Sequence, residues 1–364
     1  LAGLDVPVLV HAWDDDPSKM SGKHRRDSFC GKMSVCNNLV QYRIPFSLTA
    51  NHTMSPATDA FKEEIRWFAA VCRVVNGLRN LRVGALGARP ANFTTVRYSE
   101  KLLQESGISV ETLDLSEVFG RAEKLSDSAA DVKARVKKIM DYTPTKGVPE
   151  KNLAKMAKLA VVVDQWMQDA DLDVTAVQCW TSLEQYFGVV PCTIMSMLSE
   201  SLKSSACEVD VCGAIGMHAL ALASGKPSYL LDWNNNYGPD PDKCVCFHCS
   251  NLAKSALCEM KMDYQRIIAG TVGKDKTYGT VVGRIKPGPM TFARVSTFDN
   301  EGVIGAYVGE GQFTDDTLDT FGGYGVAEIE DLQYLLQHIC DNGFEHHVAM
   351  NHSQCARAVV EAFE

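Results

Sequence analysis

The stretch Lys151–Cys179, KNLAKMAKLAVVVDQWMQDADLDVTAVQC, decides the fold class. Its first part repeats apolar side chains at i, i+3, i+4 and i+7, the period of one helix face, and predicts a helix over Lys151–Ala170. The β-branched run Val174–Cys179 that follows predicts a strand. The same alternation recurs outward in both directions. Val6–His11, Ile44–Leu48, Leu81–Leu86 and Val110–Leu113 read as strands, and Thr58–Leu78, Ser99–Ser106, Asp131–Tyr142, Pro191–Ser201 and Cys207–Ser224 as helices. In the first of these helices Phe61, Ile65, Phe68, Ala69 and Cys72 fall on one face. Strands alternating with helices imply an α/β fold with a doubly wound parallel sheet, whose functional loops follow the strand C-termini.

After Pro227 the pattern changes. Gly becomes frequent and short alternating runs appear at Gly279–Ile285, Met290–Thr297 and Gly302–Glu310, with turns at Lys286–Pro289 and Asp299–Gly302. These are antiparallel signals. A last helix, Ile329–Asp341, precedes Gly343 and a His-rich strand. The expectation is a Rossmann-like α/β domain over 1–224 followed by a β-rich, barrel-like domain over 225–364. The chain begins without Met and runs almost at once into a strand-like segment. That predicts a missing N-terminal domain; the other reading is a processed or trimmed chain.

Composition narrows the function classes. With 46% hydrophobic and 22% charged residues, the 364-residue chain has the make-up of a soluble globular protein. A net charge of −9 gives no basic face for nucleic acid. No run of about 18 apolar residues is present to cross a membrane. The thirteen cysteines suit reduced thiols in a cytoplasmic protein better than a secreted disulfide scaffold. Cys244, Cys246 and Cys249, with His248 among them, are weighed as a zinc site. They lack a second pair at zinc-finger spacing, and buried apolar thiols are the simpler reading. The G-x-x-x-x-G-K-[ST], G-x-G-x-x-G and G-x-S-x-G motifs are all absent, which disfavours nucleotide binding and serine-hydrolase chemistry.

Four segments carry the candidate chemistry. Cys207-Glu208-Val209-Asp210 places acids at a predicted helix start, where capping is the ordinary role. Tyr229–Gly238 is a buried strand that ends in Asp232 and opens into Trp233, Asn234, Asn235 and Asn236; it forms either an Asx-type turn or a hydroxyl-binding edge. Glu345-His346-His347-Val348-Ala349-Met350-Asn351-His352 holds three of the chain's nine histidines, and His beside an acid raises the prospect of a metal. Gln178-Cys179-Trp180 ends a strand, with Trp180 placed to pack on a sugar or to fill the core. Two carboxylates and one His make an oxygen-rich set suited to Mn²⁺ or Mg²⁺ and less to Zn²⁺.

The order C-E-V-D, L-L-D-W-N-N-N and E-H-H-V-A-M resembles the L-fucose isomerase family and, more distantly, L-arabinose isomerase. Arg25–Lys32 (R-R-D-S-F-C-G-K), Gln178–Trp180 and Val282–Pro289 (V-G-R-I-K-P-G-P) extend the resemblance over nearly the whole chain. Glu208 and Asp232 lie 24 positions apart, as do the family's paired acids. The resemblance implies a metal-dependent aldose–ketose isomerase (Mn²⁺, or another divalent cation such as Mg²⁺ or Co²⁺). Glu208 and Asp232 would be both ligands and acid–base groups, and His346 the third ligand, with His347 the alternative because a doubled His aligns ambiguously. His248 falls where the arabinose enzymes place a ligand. Arg26, Gln178, Trp180, Asn234, His248 and His347 are the expected substrate contacts.

The resemblance also implies a homo-oligomer, trimer or hexamer, with shared active sites, and a family N-terminal domain. The substrate is expected to be a neutral hexose or deoxyhexose of the L-fucose/D-arabinose type. The basic run Lys23-His24-Arg25-Arg26 allows an anionic sugar instead, and some fucose-isomerase-like proteins are assigned to sulfoquinovose. A non-catalytic sugar-binding protein would need no carboxylate–carboxylate–His set. A zinc hydrolase would need a His-rich ligand shell that the spacing does not provide.

Overall fold

The computed structural model describes residues 1, 3–4 and 6–364 and divides into two compact units. The first comprises residues 1–76 and 357–364. In it β1 (Leu9–Val10) and β2 (Ser47–Leu48) pair in parallel, α1 (Ser28–Gln41) lies between them in the chain, and α2 (Asp59–Leu78) follows. The face of α2 differs from the expected one. Ile65 is 44% exposed, and the buried stripe is Glu64, Ala70, Val71 and Val74. The reason is the C-terminal helix, Ala356–Phe363. Its Ala358 packs with Ala70 and Val71, while Arg357 donates to both Glu64 oxygens at 2.8 Å and stacks 3.8 Å over the Trp67 ring. An acid buried by an arginine from the far end of the chain is invisible to hydrophobic periodicity.

The second unit, residues 77–356, holds two sheets. One is a parallel four-stranded sheet in the order β4-β3-β5-β6, made of β3 (Arg82–Leu86), β4 (Ser109–Leu113), β5 (Val174–Val177) and β6 (Ser205–Cys207). Its helices are α3 (Glu100–Glu105), α4 (Leu115–Glu123), α5 (Ala130–Tyr142), α6 (Glu150–Asp169), α7 (Cys192–Glu200) and α8 (Val211–Ser224). Strands buried on both faces need near-continuous apolar sequence, as β5 supplies. The α6 stripe of Leu153, Met156, Ala157, Ala160, Val163 and Met167 is buried in the core with Leu86 and Val177. Full burial of each large aliphatic side chain contributes roughly 1.5–3 kcal/mol.

The second sheet contains β7 (Tyr229–Asn236), β8 (Lys243–His248), β9 (Lys261–Tyr264), β10 (Tyr278–Arg284), β11 (Gly288–Phe298), β12 (Val303–Phe313), β13 (Gly323–Glu328) and β14 (His347–Asn351). Its strand order is β12-β11-β14-β7-β8-β13-β10-β9, and β12 also pairs with β13. That extra pairing closes six strands into a barrel and leaves β10 and β9 outside the ring, which removes most free edges. The α/β class and the β-rich, barrel-like C-terminal part are as expected, and the change from parallel pairing falls between β6 and β7. Helix α9 (Arg266–Val272) lies between β9 and β10, and α10 (Leu332–Asp341) between β13 and β14. No helix among the described residues is long and apolar enough to cross a membrane.

Candidate active site

The segment expected to begin a helix at Cys207 does not. Cys207 ends β6, Glu208 and Val209 both take left-handed backbone angles (φ 55° and 56°), and α8 starts after Asp210. A β-branched residue in that region is uncommon and costs on the order of 1–3 kcal/mol. The cap is Asp210, which accepts from the Gly213 amide at 2.8 Å. A Cβ at position 213 would stand 2.5 Å from the Asp210 Oδ2, so the position requires glycine. Glu208 is therefore not the cap. The two left-handed residues set it at the C-terminal end of a parallel strand, where such sheets place ligands.

Glu208 is 2% exposed. Its Oε1 accepts from the Cys179 thiol at 3.4 Å, while its Oε2 is buried with no hydrogen-bond partner. Asp232 reaches the same place by strand register, because β7 pairs with β14 so that Asp232 lies directly opposite His347. Its Oδ1 is also buried without a partner. Both orphaned oxygens face one nitrogen: His347 Nε2 is 3.4 Å from Glu208 Oε2 and 3.5 Å from Asp232 Oδ1. His248 Nε2 stands 3.6 Å from the same Glu208 oxygen. Burial raises the Asp232 pKa, with His248, His347 and His346 opposing that rise. This oxygen–oxygen–nitrogen cage offers donors of the type that Mn²⁺ or Mg²⁺ takes, but Glu208 and Asp232 are too far apart to share one of the three-residue groups close enough to hold an ion.

The rings of the doubled histidine lie side by side, 4.5 Å between centroids, but differ in burial. His347 has a side chain 1% exposed and turned into the cage. His346 is 43% exposed, and its Nε2 approaches Asp232 at 3.8 Å. Geometric groupings able to hold a cation are Asp232–His346–His347, Glu208–His248–Cys249 and Cys179–Cys207–Glu208.

The other expected contacts fare unevenly. Gln178 spends both ends on backbone, accepting from the Ala88 amide at 2.7 Å and donating to the Trp180 carbonyl at 2.8 Å. It fixes the loop rather than offering itself to a ligand. Trp180 keeps a buried, unpartnered Nε1 and meets Phe93 edge-on at 5.4 Å. Asn234 is exposed at a β-bulge, where the β7–β8 register skips from Trp233 to Asn235. Arg26, in the other compact unit, donates to the Asp14 carbonyl and lies 4.7 Å over Trp13. Neighbouring Arg25 is engaged by Asp27. The Cys244–Cys246–Cys249 run is split: Cys244 and Cys246 sit 4.0 Å apart in the barrel core, whereas Cys249 lies beside His248. All thirteen cysteines are free.

Several residues at the site were not singled out by sequence. Phe93, in the loop after β3, lies 6.2 Å from both His346 and His347 rings, and nothing in its local sequence marks it. Arg294 is 1% exposed in β11 and grips Asp210 through two nitrogens at 2.5 and 3.1 Å and Glu345 at 2.8 Å. A lone arginine in an apolar alternating strand was the available signal. Asp210 Oδ2 also lies 2.8 Å from His347 Nδ1. Burial alone would raise the Asp210 pKa, but Arg294 and His347 outweigh it and hold the group well below the usual carboxylate range. For His347 burial lowers the pKa, and the Asp210 contact more than reverses this.

Comparison with known proteins finds two family matches and several relatives. Residues 246–364 match the family described as L-fucose isomerase, C-terminal domain, and residues 1–79 match fucose/sulfoquinovose isomerase, N-terminal domain. The second match corrects the expectation that the N-terminal domain is missing. The sulfoquinovose isomerase of Priestia megaterium (strain ATCC 12872 / QMB1551) is 26% identical over 253 residues, covering 68% of this chain and 54% of that relative. The same figures hold for the sulfoquinovose isomerase of Priestia aryabhattai, so the chain spans about half the length of these relatives. The sulfoquinovose isomerase of Alkalicoccus urumqiensis is 24% identical over 363 residues, 98% of this chain and 78% of the relative. The chain's beginning and its end are thus each similar to a domain of the fucose isomerases, the N-terminal one shared with sulfoquinovose isomerases.

Proposed function

We propose that this protein is a metal-dependent aldose–ketose isomerase whose site is built on Glu208, Asp232 and His347. The observation that carries the reading is the pair of buried, unpartnered carboxylate oxygens converging on His347 Nε2. His347 replaces His346 as the proposed third ligand, because its nitrogen faces both acids. When bound there, Mn²⁺ (or Mg²⁺ or Co²⁺) would polarise the sugar carbonyl and acidify the adjacent C–H. Glu208 and Asp232 divide the acid and base roles, moving a proton between C1 and C2. Phe93 and Trp180 offer an edge-to-face aromatic wall that excludes water and packs on the sugar's C–H face. Gln178 holds the loops bearing those rings.

The favoured substrate is sulfoquinovose, because the curated relatives carry that activity in their names and the N-terminal match includes it. A neutral sugar of the L-fucose/D-arabinose type is the second reading, supported by the C-terminal match. Arg26 belongs to this proposal as a residue lent to a neighbouring copy in a cytoplasmic homo-oligomer, trimer or hexamer.

The test is proton exchange. The Mn²⁺-loaded protein is incubated in D₂O with sulfoquinovose, L-fucose, D-arabinose and L-arabinose separately. Deuterium entering C1 or C2 of one sugar establishes isomerisation and names the substrate; no exchange with any of them sinks the reading. Glu208→Gln is expected to lower the exchange rate by at least about 100-fold with the fold intact. An unchanged rate removes Glu208 from the mechanism.

A further inference from the structure

Asp210 lies outside the cage yet touches one of its members. Its carboxylate has four donors around it. Oδ1 accepts from the Gly213 amide at 2.8 Å and from Arg294 Nη2 at 3.1 Å, and Oδ2 accepts from Arg294 Nη1 at 2.5 Å. The fourth contact is His347 Nδ1, 2.8 Å from Oδ2. A carboxylate can only accept, so the hydrogen in this fourth contact belongs to Nδ1. The neutral imidazole has one N–H, and placing it on Nδ1 leaves the lone pair on Nε2. That lone pair points at the gap between Glu208 Oε2 and Asp232 Oδ1.

Everything around Asp210 fixes this arrangement. The residue is fully buried and caps α8, and Gly213 is the residue type that leaves room for its side chain. Arg294 is in turn anchored from its other side by Glu345, which also accepts from the Ser296 hydroxyl. The carboxylate therefore has no freedom to turn away or to present a proton of its own.

We infer that Asp210 is a positioning residue: held by Arg294 and Gly213, it locks the His347 ring in orientation and keeps its hydrogen on Nδ1, so that Nε2 is presented as a cation ligand. The inference deepens the proposed isomerase site and rests on His347 being a ligand. Such outer partners commonly change metal affinity by 10–100-fold when removed. Asparagine at this position is nearly isosteric, but its amide can turn an N–H toward Nδ1 and drive the imidazole hydrogen to Nε2.

The experiment has two readouts. Mn²⁺ affinity is measured by electron paramagnetic resonance titration of free Mn²⁺ in wild type, Asp210→Asn and Glu345→Gln. The hydrogen position on His347 is read in the metal-free proteins from ¹⁵N shifts, followed to rising pH until the ring is neutral. The expected result is an Nδ1–H ring in wild type, and in Asp210→Asn a 10–100-fold weaker Mn²⁺ affinity with the hydrogen moved to Nε2. Glu345→Gln loosens the same guanidinium without touching His347, and is expected to keep the Nδ1–H ring. An Nε2–H ring in the wild type overturns the inference even if no variant folds. So does an Asp210→Asn affinity within twofold of wild type, or a Glu345→Gln protein that reproduces both changes. If wild type binds no Mn²⁺, the proposed cage fails, while the ¹⁵N readout still decides the role of Asp210.

Discussion

Glu184 is fully buried, and neither of its carboxylate oxygens has a hydrogen-bond partner. Burial pushes its carboxyl up to about 8. In the unfolded chain the group titrates near 4.3. The native protein therefore keeps a proton that the unfolded chain gives up, and stability falls as pH rises from about 4 to about 8. Glu184→Gln should remove this slope, leaving stability at pH 5 little changed and raising it at pH 8 by roughly 3–5 kcal/mol. Urea denaturation at the two pH values measures the difference; an equal effect at both would show that Glu184 is ionised in the fold. At this scale the acids and histidines of the site stand out in the sequence as residue types. Their surroundings do not, because each is built from other segments: Cys179 and His248 beside Glu208, Arg294 beside Asp210.

Strand β11 carries the next lesson. Arg294 stands with buried Phe292, Ala293 and Val295 and is held between two carboxylates. A buried charge set loses heavily when one partner is deleted, because the remaining charges stay desolvated. Arg294→Met should cost roughly 3–5 kcal/mol, seen as an early thermal transition, and the triple variant with Asp210→Asn and Glu345→Gln should recover part of it. Failure of the triple variant to recover any stability would show that packing, and not charge, sets the cost. Most elements were legible from period and turn chemistry. The helix at Cys207 was not, because its first residues carry a good N-terminal composition but are claimed by β6 and a left-handed turn. Helices α1 and α4 were also missed from sequence.

Across the molecule, residues 357–364 belong with residues 1–76. Arg357 is half exposed, so its bond to Glu64 is screened by water, and its stacking on Trp67 adds to it. Arg357→Ala is predicted to weaken that unit by about 1 kcal/mol. Hydrogen exchange reads this directly: amides in the Asp59–Asn76 part of α2 should exchange several-fold faster, while those of α8 keep their protection. Equal acceleration in both helices would contradict the division into two units. No local pattern announces that the last eight residues complete the first unit, since contacts between distant segments leave no periodic trace.

The sequence by itself determined the alternation of helices and strands, the switch to antiparallel pairing after Pro227, and the presence of two acids and a histidine pair at family-like spacing. Those features are local, written in side-chain period and turn residues. Which of two adjacent histidines turns inward was decided only by tertiary structure. Both rings approach Asp232, but only His347 lies within β14 and is buried there. The pairing of β14 with β7, which sets His347 opposite Asp232, makes that choice. The left-handed turn at Glu208 and the arginine from β11 complete it, joining segments that the chain keeps far apart.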